Sequence, residues 1–371
     1  MSGTLNVFVD QIRDNIIKIK SQTKAKFCAV VKANAYGVGI RLAKYICDIV
    51  DYFAVANVLE ANALAKYSGK PILVLSPPSI EDIKKIKYKN IEFAVDRVEI
   101  VEELKRQKER FKIHVAINSG MNRYGANFDE FLKIVESAKK SENICMRGVF
   151  SHFYNSDFLT MEKQHKIATK FFDVARANFN DVLCHISNSG GLMFAEDMVR
   201  VGIGLYFNEN KCALSLESKI CEIRKIQPGD IVSYNAHFVA KSKKTIAVVP
   251  LGYADGINRK LSGCSVIVKG QECKIVGDIC MDCFMIDVTG VDVSVGERVT
   301  IFGKNGKRYN SVCNLAKWCD TICYEILTGI SCRVKRKYNA NYHRKIQGKK
   351  TGERSDRPNK TNTSENKRQH V

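Results

Sequence analysis

Along the first two-thirds of the chain, short apolar runs alternate with longer stretches in which apolar residues recur at helical spacing. The runs are FCAVVK (27–32), YFAVA (52–56), ILVLS (72–76), IEFAV (91–95), KIHVAIN (112–118), MRGVFSH (146–152), VLCHIS (182–187) and VRVGIGL (199–205). Between them lie segments such as the one holding Phe128, Phe131, Leu132 and Val135 at helical spacing. Eight strands interleaved with helices predict an α/β fold in which parallel pairing closes into a (β/α)8 TIM-like barrel. An open doubly wound sheet is the alternative. It would more naturally carry a GxGxxG fingerprint after its first strand, and none is present.

From about residue 213 the pattern changes. IVSYNAHFVA, TIAVVP, CSVIVKG, CKIVGDIC and ERVTIFG are short strands separated by Gly, Asn, Asp and Pro turn signals. They predict a C-terminal all-β domain. The expected division is a barrel over 1–212, the β-domain over 213–337 and a tail over 338–371.

Composition adds boundaries to this picture. A chain of 371 residues exceeds a typical single core, which agrees with two domains. It is 45% hydrophobic and 26% charged, ordinary for a globular protein. No apolar run approaches the ~20 residues of a membrane span, and the start lacks a signal-peptide pattern. A cytoplasmic protein is expected. Most of the fourteen cysteines sit inside apolar runs, where they behave as small buried hydrophobes and stay reduced. Paired CxxC motifs at zinc-finger spacing are absent, so no metal is expected. The net charge of +20 raises nucleic-acid binding. Residues 337–371, however, hold ten Lys or Arg against three acids in a polar stretch with almost no large apolar residues. Such a tail cannot bury enough surface to offset ordering, so it is expected to be disordered, and the nucleic-acid reading rests on it alone.

In a parallel barrel, reactive groups emerge at the C-terminal ends of the strands. Lys32 ends the first apolar run. By position alone it is a solvated strand-end lysine; desolvated beside other cations, it becomes a nucleophilic amine of lowered pKa. The words around it decide between these. VVKANAYGVG (30–39) resembles the cofactor-lysine signature of alanine racemases, AVVKANAYGHG, and the resemblance continues co-linearly to about Tyr338.

That resemblance implies a barrel followed by a β-domain, and a pyridoxal 5′-phosphate (PLP) enzyme that interconverts L- and D-alanine with two bases, supplying D-alanine for peptidoglycan. It makes Lys32 the covalent holder of the cofactor and one base, and Tyr234 (in VSYN) the other. It gives Tyr36, Ser189, Tyr324 and the backbone N–H groups of Gly202 and Ile203 to the phosphate. Arg123 (in NSGMNRYG) falls beside the cofactor's phenolic oxygen, His152 against its ring, and Arg200 at its pyridine nitrogen, with His185 as the arginine's partner. Met281 and Asp282 (in ICMDC) fall on the substrate side, with Tyr253 nearby. The family pattern also implies a homodimer in which Tyr234 and Met281 reach the other subunit's barrel. Arginine can only donate, so Arg200 at the ring nitrogen keeps that nitrogen neutral and argues against a PLP decarboxylase.

Four positions depart from the pattern. Val38 stands for a histidine and Asn235 for a glycine. Ala116 stands where some members carry a carbamylated, anionic lysine and Asn118 where they carry an aspartate of HLKVDTGM, so two negative charges near Arg123 are missing. A serine racemase is the nearest alternative enzyme. A non-catalytic PLP carrier would lack the second domain that holds Tyr234.

Overall fold

The computed structural model describes residues 3–208 and 211–340. All but the first three residues of the expected tail lie outside the described residues. All eight expected barrel strands are present. After β1 (Thr4–Phe8) come β2 (Lys26–Val30), β3 (Tyr52–Val55), β4 (Ile72–Val74), β5 (Ile91–Val95), β6 (Phe111–Ala116), β7 (Ile144–Phe150), β8 (Leu183–His185) and β9 (Met198–Val201). They pair in parallel in the order β8-β7-β6-β5-β4-β3-β2-β9. The remaining gap between β8 and β9 is bridged by Asp197 N–H to Cys184 O at 3.0 Å and Arg200 N–H to Ser187 O at 3.0 Å. This is the barrel that the apolar runs predict.

The physical reason is burial on both faces. β3, β4 and β5 are buried at every position, one face under the outer helices and one inside the barrel. That explains continuous rather than alternating apolar runs. Each Val, Ile or Phe so buried contributes about 1.5–3 kcal/mol as an upper range. A covering helix, Phe128–Lys139, starts at Asn127, whose side chain accepts from Glu130 N–H at 2.9 Å. Its inward stripe is Phe131, Ile134, Val135 and Ala138. Phe128 and Leu132, apolar in sequence, stand at the stripe's edge, about two-fifths exposed.

β9 ends earlier than its apolar run. The chain turns at Gly202, and Ile203–Leu205 forms a 3-10 turn. β2 also stops short of Lys32, because Val31 leaves the extended region.

The second domain is a mostly antiparallel sheet, Glu222–Ile226, Lys244–Val249, Phe284–Asp287, Gln271–Val276, Ser265–Val268, Arg298–Asn305 and Leu214–Lys219 in spatial order. β1 pairs antiparallel with Leu214–Lys219 and parallel with Lys335–Asn339, so the chain's start and end meet inside this sheet. The sequence reading places Thr4–Phe8 with the barrel. Its pairing partners are too distant in sequence for any local pattern to reveal. Two short helices, Val312–Trp318 and Cys323–Thr328, also belong to this mostly-strand domain. Among the described residues, no helix is long and apolar enough to cross a membrane.

Candidate active site

A cavity of about 740 Å³ opens at the C-terminal ends of the barrel strands. Lys32, Tyr36, Arg123, His152, Ser189, Arg200, Gly202, Ile203 and Tyr324 all line it. No lining residue is an aspartate or glutamate, so three cations face the space without an acidic neighbour in its wall.

Lys32 opens a backbone turn of unusual hand. Ala33, Asn34, Ala35 and Tyr36 have φ of 52, 54, 54 and 57°, a left-handed helical turn, followed by Gly37 at φ 78°. Left-handed residues with a Cβ cost roughly 1–2 kcal/mol each, so such a turn persists only when its surroundings hold it. Glu60 is one holder. Its carboxylate accepts from Ala33 N–H and Ala56 N–H, both at 2.8 Å. Asn34 Oδ1 accepts from Ile40 N–H at 2.9 Å. From the second domain, the Arg336 guanidinium donates to Gly37 O at 2.8 and 3.0 Å. A Cβ on Gly37 would stand 2.2 Å from Leu327 O, so only glycine fits. The resemblance names Lys32 and Tyr36 but not Glu60. Asn57 and Glu60 have the spacing of a helix start, yet Glu60's bond to Ala33 N–H spans 27 residues and leaves no local trace.

The Lys32 ammonium is held below its usual pKa, first by burial, then by Arg123 and Arg200, with Glu60 opposing. Tyr36 is raised by burial and by the Tyr324 ring 5.8 Å away. A Cβ on Gly202 would lie 2.0 Å from the Tyr36 hydroxyl. The Ser189 hydroxyl accepts from Gly202 N–H and Gly204 N–H, both at 3.3 Å. Two backbone donors, a serine and a tyrosine hydroxyl thus converge at a cationic cavity, which suits a phosphate. Gly204, which the resemblance does not assign, is one of those donors.

Arg200 is almost wholly buried in β9. It donates to Ser151 O (2.6 Å), His185 O (3.1 Å) and His185 Nδ1 (2.5 Å), and its carbon lies 5.4 Å from the Phe150 ring centroid. Burial brings its pKa down to about 10, which leaves it charged at neutral pH. The His152 imidazole, 3.4 Å from Arg200, is pushed down to about 3 by burial and by Arg200, Arg123 and Lys32. It is therefore neutral in the working range.

Arg123 is exposed, its guanidinium 5.8 Å from the Tyr124 ring centroid. Asn118 accepts from Gly120 N–H and Asn122 N–H and donates to Asn122 Oδ1, shaping the turn before Arg123. Ala116 is buried.

Tyr234, Met281 and Asp282 do not line this cavity. They form a second cluster on the β-domain. Ser233, next to Tyr234, donates to Asp278 O at 2.6 Å and lies 3.5 Å from Cys280 Sγ. Tyr253 N–H donates to Cys280 O at 3.1 Å. Asp282 accepts from Arg333 at 2.7 Å. Tyr234 is 66% and Met281 54% exposed. Among the described residues, no group of three or more His, Cys, Asp or Glu is arranged to hold a metal ion.

Comparison with known proteins agrees with this geometry. Residues 7–210 match the alanine racemase N-terminal domain and residues 213–338 the alanine racemase C-terminal domain. The chain is 36% identical to alanine racemase 2 of Caldanaerobacter subterraneus subsp. tengcongensis, covering 90% of this chain and 94% of that protein. It is 33% identical to alanine racemase of Lactococcus lactis, covering 88% and 95%. The crystal structure of alanine racemase from Bacillus anthracis with bound L-Ala-P superposes with a TM-score of 0.85 at 30% identity, over 92% of this chain and 95% of that one. The chain belongs to the alanine racemase family.

Proposed function

We propose that the chain interconverts L- and D-alanine with PLP, and that it does so as a homodimer whose two active sites each combine residues of both subunits. The observation that carries this reading is the separation of Lys32, inside a cationic cavity, from the exposed cluster of Tyr234 and Met281.

The cavity fits PLP by its donor set. Lys32 would hold the cofactor covalently. Tyr36, Ser189, Tyr324 and the N–H groups of the Gly202–Gly204 turn would hold its phosphate, with His152 against its ring and Arg123 beside its phenolic oxygen. When bound, PLP supplies an electron-accepting ring for the charge left by a departing α-proton. Arg200, already donating to three acceptors, presents only further N–H groups and would keep the ring nitrogen unprotonated.

Racemisation needs a proton removed from one face of the α-carbon and returned to the other. The Lys32 amine, with its lowered pKa, is suited to one face. The Tyr234 hydroxyl of the other subunit would serve the opposite face, with Met281 and Asp282 on the substrate side. The barrel is proposed to span 1–212 and the β-domain 213–337, completed by β1. In keeping with the family, D-alanine for peptidoglycan in the cytoplasm is the proposed use.

The test is direct. Purified protein incubated with L-alanine and followed by chiral chromatography should yield D-alanine, and should show the absorption of lysine-bound PLP. Lys32→Ala should lose both. A wild type that produces no D-alanine would sink the reading.

A further inference from the structure

Beneath the cavity, inside the barrel, lies a row of buried polar groups, of which the family resemblance assigns His185 and Arg200 but not Glu92 or His114. Glu92 on β5 is 1% exposed, and His114 on β6 and His185 on β8 are 0% exposed. A glutamate buried so completely is rare unless it is partnered. Here its Oε2 lies 2.8 Å from His114 Nε2. His114 Nδ1 lies 3.1 Å from His185 Nε2, and His185 Nδ1 lies 2.5 Å from Arg200 Nη1. Four side chains from four strands thus form one unbroken chain ending at the arginine that faces the cavity.

The two ends dictate every proton between them. A guanidinium has no acceptor, so Arg200 donates and His185 Nδ1 must be bare. The neutral His185 ring then carries its proton on Nε2 and donates to His114 Nδ1. His114 in turn carries its proton on Nε2 and donates to Glu92, an acceptor when ionised. Reversing any one bond would set two N–H groups or two lone pairs against each other. The His185 imidazolium is strongly disfavoured by burial, Arg200 and His114, in keeping with a neutral ring. The other groups facing Glu92 are Arg147 on β7, Tyr52 on β3, which is hydrogen-bonded to Arg147, and Cys28 on β2. Burial keeps the Cys28 thiol neutral by raising it to about 12.

We propose that Glu92 is a positioning residue for the reaction: as the terminal acceptor of the Glu92–His114–His185–Arg200 chain, it fixes both imidazole tautomers and so holds the Arg200 guanidinium at the cofactor's ring nitrogen. This rests on the proposed function for its purpose, but its geometry stands in the protein without cofactor. At metal sites, outer partners of ligating imidazoles are worth roughly 10–100-fold in affinity or activity, which sets the scale expected here.

The experiment reads ring nitrogens by NMR in cofactor-free protein labelled with 15N at histidine. The two buried rings are recognised by N–H protons protected from solvent exchange. Both should carry their single proton on Nε2. An Nδ1–H or a doubly protonated ring at either histidine in the wild type overturns the proposal, and this needs no variant. Glu92→Gln keeps an acceptor oxygen and should keep both tautomers and most of kcat. Glu92→Leu removes the acceptor and should lose the single tautomer pattern and about tenfold in kcat, with KM for alanine little changed. Wild-type resonances and kcat in Glu92→Leu, or equal losses in Gln and Leu, contradict it. A protein that fails to racemise alanine would sink the proposed function while leaving the tautomer measurement intact. An altered tautomer pattern would sink this inference while leaving racemisation standing.

Discussion

The two halves of the proposed catalytic pair are built on opposite plans. Lys32 follows a buried strand, opens a left-handed turn held by Glu60, Asn34 and Arg336, and faces a cavity whose charges already lower its pKa. Tyr234 stands on a short turn between two-residue strands, two-thirds exposed, with its apolar neighbour Met281 also open. One region is finished by its own chain. The other is an exposed surface outside the cavity that Lys32 lines.

The largest expected effect separates the two regions by what each loses. Lys32→Ala should lower racemisation by on the order of 10⁴-fold or more and abolish the absorption of covalently held PLP. Tyr234→Phe should lower racemisation by about 10³-fold, the range for a general acid–base group, yet leave the cofactor absorption unchanged. A Tyr234→Phe protein that loses its cofactor would break the contrast, because it would place Tyr234 in the holding machinery.

A smaller effect probes the buried side alone. His152 sits near 3 when folded, against about 6.5 when unfolded. Between those values the unfolded chain binds more protons, so stability rises with pH through this window and falls as pH drops from 6.5 towards 3. Urea unfolding of the cofactor-free protein should show a loss of about 2 kcal/mol from this group between pH 6.5 and 5. His152→Gln should flatten that part of the slope, whereas Tyr234→Phe should leave it as it is.

The smallest effect tests the phosphate cradle. In Gly202→Ala the new methyl would meet the Tyr36 hydroxyl at 2.0 Å, forcing one or the other to shift. A cost of about 1–2 kcal/mol, typical of overpacking, corresponds to roughly tenfold weaker PLP binding, measurable by cofactor titration. Unaltered affinity would remove the Gly202 turn from the phosphate site.

The same contrast explains what could be read from the sequence. The eight barrel strands were legible because burial on both faces leaves continuous apolar runs, and Lys32, Arg200 and Ser189 because they sit in words shared with the family. The short strand Phe284–Asp287 and the pairing of Thr4–Phe8 with the far end of the chain were not, since their partners are set by tertiary packing. Glu60 and Glu92 were invisible for the same reason: each reaches a residue of another element, 27 and 22 positions away in sequence, that no local spacing encodes. The second cluster was named residue by residue, and a shared site was implied by the family pattern, but the exposure of Tyr234 and Met281 is a property of the folded surface.

Mixing Lys32→Ala with Tyr234→Phe, each nearly inactive alone, and exchanging their subunits puts the shared site to its most direct trial. Random pairing makes about half of the dimers mixed, and each mixed dimer holds one cavity with both bases intact, so about a quarter of wild-type D-alanine formation should return. No recovery on mixing, with subunit exchange verified by mass, would mean that both bases come from one chain.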